Sequence, residues 1–432
     1  MTAPSVRSTL FLILGVLLSI SCATASTDTL GREERRIVAN VDKQIDEVVA
    51  FLQHVVDIPS ATQNLDGVRR AGEGFASELA KIGFETSWAE MPTEMRRAGH
   101  LIAEHRGRRG KRILLIGHLD TVLEGASWSR DGTVASGPGT NDMKGGNVVI
   151  LHALKALHDA GALRDRQIIV VFTGDEEDVG DPKETARKPL VDAAKRSDVA
   201  LAFETAVGNT AVVARRGVTT WRLEASGATG HSSGIFGQNR GSGAIYEAAR
   251  ILNTFHDELK GEQYLTFNAS VIVGGTEAEL DEAAKRGSAW GKTNVIPQRV
   301  IAEGDLRFIS EAQRDAAKER MQSIVTRNLP KTSAALTFHD AYPPMSPTDG
   351  NYALLAHLDR VSRALGLGEV SAYDPGARGA GDISFIASLA DSLDGLGATG
   401  TGAHTPDETI DLATLPRQIK RTALLIYRLT RD

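Results

Sequence analysis

The chain has very little cysteine and few aromatic residues. Cys22 is the only cysteine among 432 residues, so no disulfide can form within the chain. Phe, Trp and Tyr make up 5% of the residues while 43 are glycine, a balance that favours an α/β protein over an all-β protein. The sequence also has no long basic run, and its net charge is −6. These two absences argue against nucleic acid as a partner.

Apolar runs long enough to cross a bilayer comfortably are missing as well. The main apolar stretch, residues 10–20, follows Arg7 and precedes small residues that end at Ala25, an order typical of a secretory signal. We therefore predict a signal peptide at 1–25 and a periplasmic or secreted location. A membrane anchor or a buried helix is the alternative for this stretch. Cys22 lies in a poor lipoprotein cleavage box, and we expect membrane attachment only if it is lipidated.

The first half of the chain predicts an α/β domain. Apolar side chains at helical spacing predict one helix at 34–57 and another at about 72–83, and a third at 146–160. Three apolar runs of strand length are continuous rather than alternating, as expected of strands covered on both faces. These runs are 112–116, 167–172 and 199–203. Strands alternating with helices predict a mostly parallel sheet with right-handed crossovers.

A different pattern begins near residue 211. From there to residue 344 the predicted order is βαββαβ, which matches a small ferredoxin-like domain. Residues 277–292 form an additional segment between two of these predicted strands, and we expect an inserted helix or a lid loop there. Prolines at 343, 344 and 347 then indicate a return to the first domain. We therefore predict one domain from residues 26–210 and 345–432, with a second domain at 211–344.

Acidic and histidine residues follow the predicted central strands. The set comprises His118, Asp120, Asp142, Glu176, Glu177, Glu204 and His404. Because the carboxyl ends of parallel strands meet at one edge of a sheet, we expect these side chains to converge in one crevice. Each signal alone is weak, since a solvated turn or helix cap explains it equally well. As an ensemble they indicate a hydrolytic metal site.

Ligand chemistry narrows that interpretation. Carboxylate and neutral imidazole suit zinc, and two zinc ions that share one carboxylate need about five such groups. The seven residues supply five ligands and two further carboxylates. The two spare groups would serve as an orienting carboxylate and a general base.

Seven short segments also occur in an order that resembles a known family. They are GHLDTV, GTNDMKGG, DEE, GHSS, TNVIP, GDLR and GAHTPDE. With them the chain resembles the dinuclear-zinc metallopeptidases that include glutamate carboxypeptidase, aminoacylase, acetylornithine deacetylase and succinyl-diaminopimelate desuccinylase. The resemblance covers nearly the whole mature chain. It implies a mostly parallel-sheet α/β catalytic domain, an inserted ferredoxin-like lid and dimerisation domain, and two zinc ions per chain.

The resemblance also implies a ligand set. Asp142 would bridge the two zinc ions. Glu177 and His404 would complete the ligands of one ion, and His118 and Glu204 those of the other.

Five further residues receive roles from the same resemblance. Asp120 would hold the ligating tautomer of the neighbouring imidazole, and Glu176 would be the general base. His231 reads on spacing alone as a turn histidine, but the resemblance implies that it reaches a partner subunit's active site and stabilises the oxyanion. Asn294 and Arg307 read alone as polar strand residues, and the resemblance implies that they contact the substrate's carboxylate.

We therefore expect an exported zinc metallopeptidase or amidohydrolase, active as a homodimer, that removes a C-terminal amino acid from a small peptide or an N-acyl amino acid. One alternative is a narrow deacylase of the acetylornithine or succinyl-diaminopimelate type. Another is a non-catalytic binding protein on the same fold. A serine hydrolase is a third alternative, since serine and histidine residues are plentiful.

Overall fold

The computed structural model describes residues 29–125, 127–281 and 286–431. The predicted signal peptide and Cys22 lie outside the described residues. The helices are α1 Arg32–Lys43, α2 Ile45–Val56, α3 Leu65–Lys81, α4 Lys144–Asp159, α5 Lys183–Ala194, α6 Ala244–Leu259, α7 Glu311–Val325, α8 Asp349–Ala364 and α9 Leu415–Leu429.

The strands range from two to eleven residues. They are β1 Glu85–Ala89, β2 His100–His105, β3 Arg109–His118, β4 Ser129–Asp131, β5 Val134–Ser136, β6 Arg166–Thr173, β7 Val199–Ala202, β8 Thr210–Ala211, β9 Gly217–Gly227, β10 Thr266–Gly275, β11 Glu277–Asp281, β12 Arg286–Trp290, β13 Arg299–Phe308, β14 Thr332–Tyr342, β15 Ser371–Ala372, β16 Asp391–Leu393, β17 Gly400–Thr401 and β18 Thr409–Asp411.

The larger sheet confirms the predicted fold class. Its strand order is β1-β2-β6-β3-β7-β16, and the pairs β6/β3, β3/β7 and β7/β16 are parallel. The middle strands β3, β6 and β7 are buried along most of their length, which explains their continuous apolar sequence. Helices α1, α2, α4 and α9 contribute to the principal core on one side of this sheet.

The first two helices differ from the prediction. Residues 34–57 do not form one helix, because α1 ends at Lys43 and α2 begins at Ile45. Gln44 lies between them and donates a hydrogen bond from its side chain to Asp159 Oδ2 at 3.2 Å. The apolar spacing continues across this break, so periodicity alone could not locate it.

The third helix begins earlier than predicted. α3 starts at Leu65, and the side chain of Asn64 accepts a hydrogen bond from the Gly67 amide at 3.0 Å. This N-cap satisfies one of the free amides of the first turn. The first two turns hold few large apolar residues, which is why the predicted start fell at about residue 72.

The inserted domain has the predicted ferredoxin-like order. Its strands β9, β10, β13 and β14 form an antiparallel sheet in the order β10-β13-β9-β14. Helices α6 and α7 cover one face, and Trp221, Leu223, Leu306 and Phe308 belong to the core beneath them. We refer to this unit as the lid domain.

The insertion within the lid domain is a β-hairpin and not the expected helix or loop. β11 and β12 pair antiparallel from Glu277 opposite Trp290 to Asp281 opposite Arg286. Ala278 is buried while Glu277 and Glu279 are exposed, so a period of two is present. The segment is short and rich in Ala and Glu, and these residues conceal its strand character in the sequence.

The two connections between the domains run side by side. Arg215 donates its main-chain N–H to the Met345 oxygen at 2.9 Å, and Met345 donates to the Arg215 oxygen at 3.0 Å. This bridge lies close to the predicted domain boundaries, which stay predictions. Among the described residues, none of the helices combines the length and apolar character needed to cross a membrane.

Candidate metal centre

Seven predicted side chains meet at the carboxyl edge of the larger sheet. His118 ends β3, Glu176 and Glu177 follow β6, and Glu204 follows β7. Potential ligand atoms lie within 4.8 Å of one another in three overlapping groups. The groups are His118 with Glu176 and Glu177, His118 with Asp142 and Glu204, and Asp142 with Glu177 and His404.

Asp142 lies between the two histidines. Its Oδ1 is 3.2 Å from His118 Nε2, and its Oδ2 is 3.2 Å from His404 Nε2. His404 Nε2 is also 3.1 Å from Glu177 Oε2, and His118 Nε2 is 3.9 Å from Glu204 Oε1. The two oxygens of one carboxylate therefore serve two separate groups of donors, which is the arrangement that a bridging ligand requires.

Asp120 orients this centre in two ways. His118 Nδ1 lies 2.9 Å from the main-chain oxygen of Asp120 and 3.4 Å from its Oδ1. With the proton on Nδ1, Nε2 keeps its lone pair for a metal. The Asp120 carboxylate also accepts the N–H groups of Glu176 at 3.0 Å and Glu177 at 3.1 Å, and the Thr62 hydroxyl at 2.6 Å. Asp120 thus fixes both the imidazole and the turn that carries the two glutamates.

The carboxylates of the centre are crowded and buried. Burial raises the pKa of Glu204 to about 8, and repulsion from Asp142 adds to the rise. Burial also raises the pKa of Glu176 well above its usual range, with a further contribution from Glu204. The pKa of Glu177 is raised by burial as well, although its hydrogen bond with His404 opposes the rise. Such a cluster needs nearby positive charge.

The histidines carry part of that charge when no metal is bound. Hydrogen bonds with Asp142 and Glu177 raise the pKa of His404 to about 10. Burial alone would lower the pKa of His118, but its contacts with Asp120 and Asp142 raise it. Metal ligation requires the deprotonated imidazole, so metal binding at this centre would release protons.

Glu408 is a structural member of the site that the sequence argument missed. Its Oε1 accepts the amides of Asn141 at 2.7 Å and Asp142 at 2.9 Å, and its Oε2 accepts the amide of Gly139 at 2.9 Å. The residue lies four positions after His404 in the GAHTPDE segment. Glu408 therefore ties the loop that carries Asp142 to the segment that carries His404.

Arg215 is a second residue that was missed. It is buried, and its Nε lies 2.8 Å from Asp394 Oδ2 as an ion pair without a well-aligned N–H. Asp394 Oδ1 accepts the Glu204 amide at 3.3 Å. A Cβ atom on Gly381 would fall 2.1 Å from Arg215 Nη1 and 3.4 Å from Glu176 Oε1. The guanidinium thus occupies the space beside the two glutamates, on the chain segment that leads into the lid domain.

A buried charge cluster supports the turn beneath Glu176. Arg187 Nη1 is 2.5 Å from Asp175 Oδ1, and its Nε is 2.7 Å from Asp382 Oδ1. The Thr173 hydroxyl donates to the other oxygen of Asp382. All four side chains are buried. Nothing in a single sequence marks Arg187 as the partner of acids on both sides of it, so this cluster could not be predicted.

The three predicted lid residues lie at two places. His231 pairs with Val295 in an isolated bridge and contacts Ser233 Oγ through its Nδ1 at 2.8 Å, while Asn294 accepts the Ser232 amide at 2.9 Å. Both are exposed at one end of the lid domain and belong to none of the three ligand groups.

Arg307 lies elsewhere on the lid domain, on the sheet face opposite the helices. Its Nη1 is 3.7 Å from where a Cβ atom on Gly379 would lie. Gly379 is two residues from Gly381, which adjoins Glu176. Arg307 therefore reaches the loop beside the centre.

Comparisons with known proteins agree with this architecture. A model of the peptidase family M20/M25/M40 matches residues 114–428. The chain is 27% identical over 403 residues to carboxypeptidase G2 of Pseudomonas sp. (strain RS-16), covering 88% of this chain and 89% of the relative. It is 26% identical over 383 residues to succinyl-diaminopimelate desuccinylase of Acidovorax ebreus (strain TPSY), covering 83% and 91%. Aminopeptidase PepT of Bacillus cereus superposes with a TM-score of 0.70 at 18% identity, over 89% of this chain and 98% of that chain, a likeness of fold alone.

Proposed function

The chain belongs to the peptidase family M20/M25/M40 and is a hydrolase, and from that premise we propose that it is a zinc-dependent enzyme that removes a C-terminal amino acid from a peptide or an N-acyl amino acid. The observation that carries the proposal is Asp142, whose two oxygens face two different histidines at 3.2 Å. A carboxylate shared in this way can hold two metal ions close together, as a two-metal hydrolytic site requires.

The side chains fit a pair of metal ions on chemical grounds. They offer imidazole nitrogen and carboxylate oxygen, the donors that zinc accepts. Within the described part of the chain, the buried Oε1 atom of Glu177 has no hydrogen-bond partner. A metal would satisfy that oxygen and neutralise the crowded carboxylates. We assign His118 and Glu204 to one zinc ion and Glu177 and His404 to the other, with Asp142 shared.

Each residue around the reacting carbonyl then has a task. Two bound zinc ions would polarise the scissile carbonyl and lower the pKa of the attacking water. Glu176 accepts a proton from that water and passes it to the leaving amine, a role suited to a carboxylate whose pKa is raised by burial. Asp120 keeps Glu176 in place through the amide that it accepts at 3.0 Å.

A glutamine substitution tests the base. Purified wild-type protein should contain about two zinc ions per chain, and Glu176→Gln should keep them while losing about 10²-fold or more in kcat. Glu177→Gln is the matched control, because it changes the adjacent glutamate and should lose zinc. Full turnover by Glu176→Gln would refute the assignment of the base.

The lid domain would supply substrate contacts. Arg307 would bind the substrate's carboxylate, for which a guanidinium is well suited. Asn294 lies beside His231 and would reach the carboxylate of a substrate in the other subunit's site. His231 is exposed and its hydrogen bonds stay within the lid domain, so we propose that it acts on the active site of a second subunit in a homodimer.

Subunit mixing tests the proposed dimer. Glu176→Gln and His231→Ala should each be inactive as pure homodimers. A mixed dimer should recover activity, because one of its sites combines an intact Glu176 with His231 of the partner subunit. Mixed dimers without activity would refute action across subunits.

The same site also admits a narrower activity. The relative named succinyl-diaminopimelate desuccinylase favours a deacylase as the second candidate. Hydrolysis of acylated diamino acids, without hydrolysis of other acyl amino acids or dipeptides, would select it.

We further propose that residues 1–25 direct export to the periplasm or beyond the cell. The supporting observation is the order of Arg7, the apolar run and Ala23–Ala25 in the sequence. The N-terminal residue of protein recovered from cells distinguishes cleavage after Ala25 from lipidation at Cys22. Protein that keeps Met1 in the cytoplasm would refute export.

A further inference from the structure

A cavity opens beside one half of the metal centre. Its volume is about 240 Å³, and it touches Asp142, Glu177 and His404. The catalytic domain alone forms it, from the loops that follow β3 and β5 and the loop that carries His404. Whatever occupies this cavity therefore contacts the Glu177 and His404 side of the metal centre.

Most of the side chains in the walls of this cavity are apolar or carry hydroxyl groups. Val122, Leu123, Pro138 and Pro406 provide apolar surface, and the described lining residues include no Lys or Arg. Besides Glu177, two further glutamates lie in the wall. Glu408 is occupied by three main-chain amides, whereas the exposed Glu124 accepts one hydrogen bond from Asn64 at 2.7 Å.

The side of the centre that holds Glu204 and Glu176 has arginine residues near it. Arg215 lies beside Glu204 and Glu176, and Arg307 reaches the Gly379 loop next to them. Arg378 donates a hydrogen bond to the main-chain oxygen of Thr205, which follows Glu204. Three guanidinium groups thus lie on the side away from the cavity, two of them paired with an acid, Arg215 with Asp394 and Arg307 with Asp305. A substrate with one carboxylate has a clear preference between these two sides.

We propose that this cavity is the acyl subsite and that it selects an uncharged, apolar acyl group, with the substrate's α-carboxylate directed to the arginine side. This inference rests on the proposed amide hydrolysis. An apolar cavity of roughly 150 Å³ suffices for benzene, so 240 Å³ accommodates a benzoyl ring or a branched aliphatic group. A succinyl group would place its free carboxylate where the described lining offers no Lys or Arg and where Glu124 repels it.

A matched substrate panel tests the proposal. N-benzoyl, N-acetyl and N-succinyl derivatives of one amino acid, and a dipeptide with a free amine, are offered to the zinc-loaded protein. We expect kcat/KM for the benzoyl compound to exceed that for the succinyl compound by about tenfold, because the succinyl carboxylate gains no guanidinium or ammonium partner and lies beside Glu124. A preference for the succinyl compound, or for the free amine, would overturn the proposal.

A positive charge introduced into the cavity wall tests whether the acyl group binds in this cavity. Leu123→Arg should raise kcat/KM for the succinyl compound by about tenfold relative to the benzoyl compound, since it supplies the missing cation. Leu389→Arg is the control, because Leu389 is 42% exposed against 37% for Leu123 but lies outside the cavity. An unchanged ratio in Leu123→Arg, or the same change in Leu389→Arg, would contradict the assignment.

A binding measurement tests the acyl subsite independently of the proposed hydrolysis. The zinc-loaded Glu176→Gln variant is titrated calorimetrically with the benzoyl and succinyl compounds. Tighter binding of the benzoyl compound supports the subsite even if no compound is hydrolysed by the wild type, an outcome that would refute only the proposed function. Equal or tighter binding of the succinyl compound would refute the subsite even in an active enzyme.

Discussion

Replacing Glu408 is expected to weaken metal binding although the residue is not a ligand. Its carboxylate accepts three amides of the loop that ends at Asp142, at 2.9, 2.7 and 2.9 Å, and its side chain is buried. Hydrogen bonds to a charged group contribute about 1.5–3 kcal/mol each, and leaving a buried amide unpaired costs about 1–3 kcal/mol. Some relaxation of the loop would offset part of this sum. We expect Glu408→Ala to lower the free energy of unfolding of the metal-free protein by about 4 kcal/mol.

The conservative variant separates charge from shape. In Glu408→Gln, one oxygen can still accept the amides of Asn141 and Asp142, while the side-chain NH₂ faces the Gly139 amide, donor against donor. We expect a loss of about 1–3 kcal/mol in stability. Zinc affinity should fall by about 10-fold to 100-fold, because the loop no longer holds Asp142 between the two histidines.

Two measurements check this prediction. Denaturant unfolding of the metal-free protein gives the change in the free energy of unfolding, and competition with a chelator gives the zinc affinity. Asp407→Ala is the control, since it removes a neighbouring acid whose side chain is exposed. If Glu408→Ala binds zinc as tightly as the wild type, the loop does not depend on Glu408 and the reasoning is wrong.

Further predictions concern a buried ion pair and a buried histidine. Arg215→Met should lower the free energy of unfolding by about 3–5 kcal/mol, because it leaves the Asp394 carboxylate buried without its cation. Gly381→Ala, which displaces the same guanidinium, should also destabilise the protein, and wild-type stability in both variants would contradict this role. Burial lowers the pKa of His152 to about 3, so the folded protein stays neutral there while the unfolded chain gains a proton below about 6.5. Stability should therefore fall between about pH 6.5 and 3 by up to about 1.4 kcal/mol per pH unit from this residue. Unfolding of His152→Leu as a function of pH should show a shallower slope than the half-exposed control His158→Leu, and equal slopes would refute the argument.

The sequence predicted the parts of this protein that local pattern determines. Strands covered on both faces must be apolar throughout, so β3, β6 and β7 were visible as runs. Their carboxyl ends then placed His118, Glu176 and Glu204 at one edge, as the structure confirms. The βαββαβ order was visible for the same reason, since alternation and helical spacing are local properties.

Features that depend on contacts between residues far apart in the sequence could not be predicted. The break at Gln44 is stabilised by Asp159, 115 residues away, and Glu408 binds amides more than 260 residues away. Neither contact leaves a spacing that a single sequence reveals. The same limit applies to Arg215, whose partner Asp394 lies far away in the sequence.

These distant contacts explain how one centre is assembled from separate segments. Asp142 and His404 are far apart in sequence, and Glu408 fixes the distance between their loops. Arg215 places a positive charge beside Glu204, and it lies on one of the two connecting segments that lead to the lid domain. Because the same residue takes part in the Arg215–Met345 bridge, a movement of the lid domain that disturbs this bridge also shifts the charge beside Glu204. The Arg215 guanidinium therefore links the metal centre to the lid domain, which places Glu204 and Glu176 under the influence of the domain that would bind the substrate.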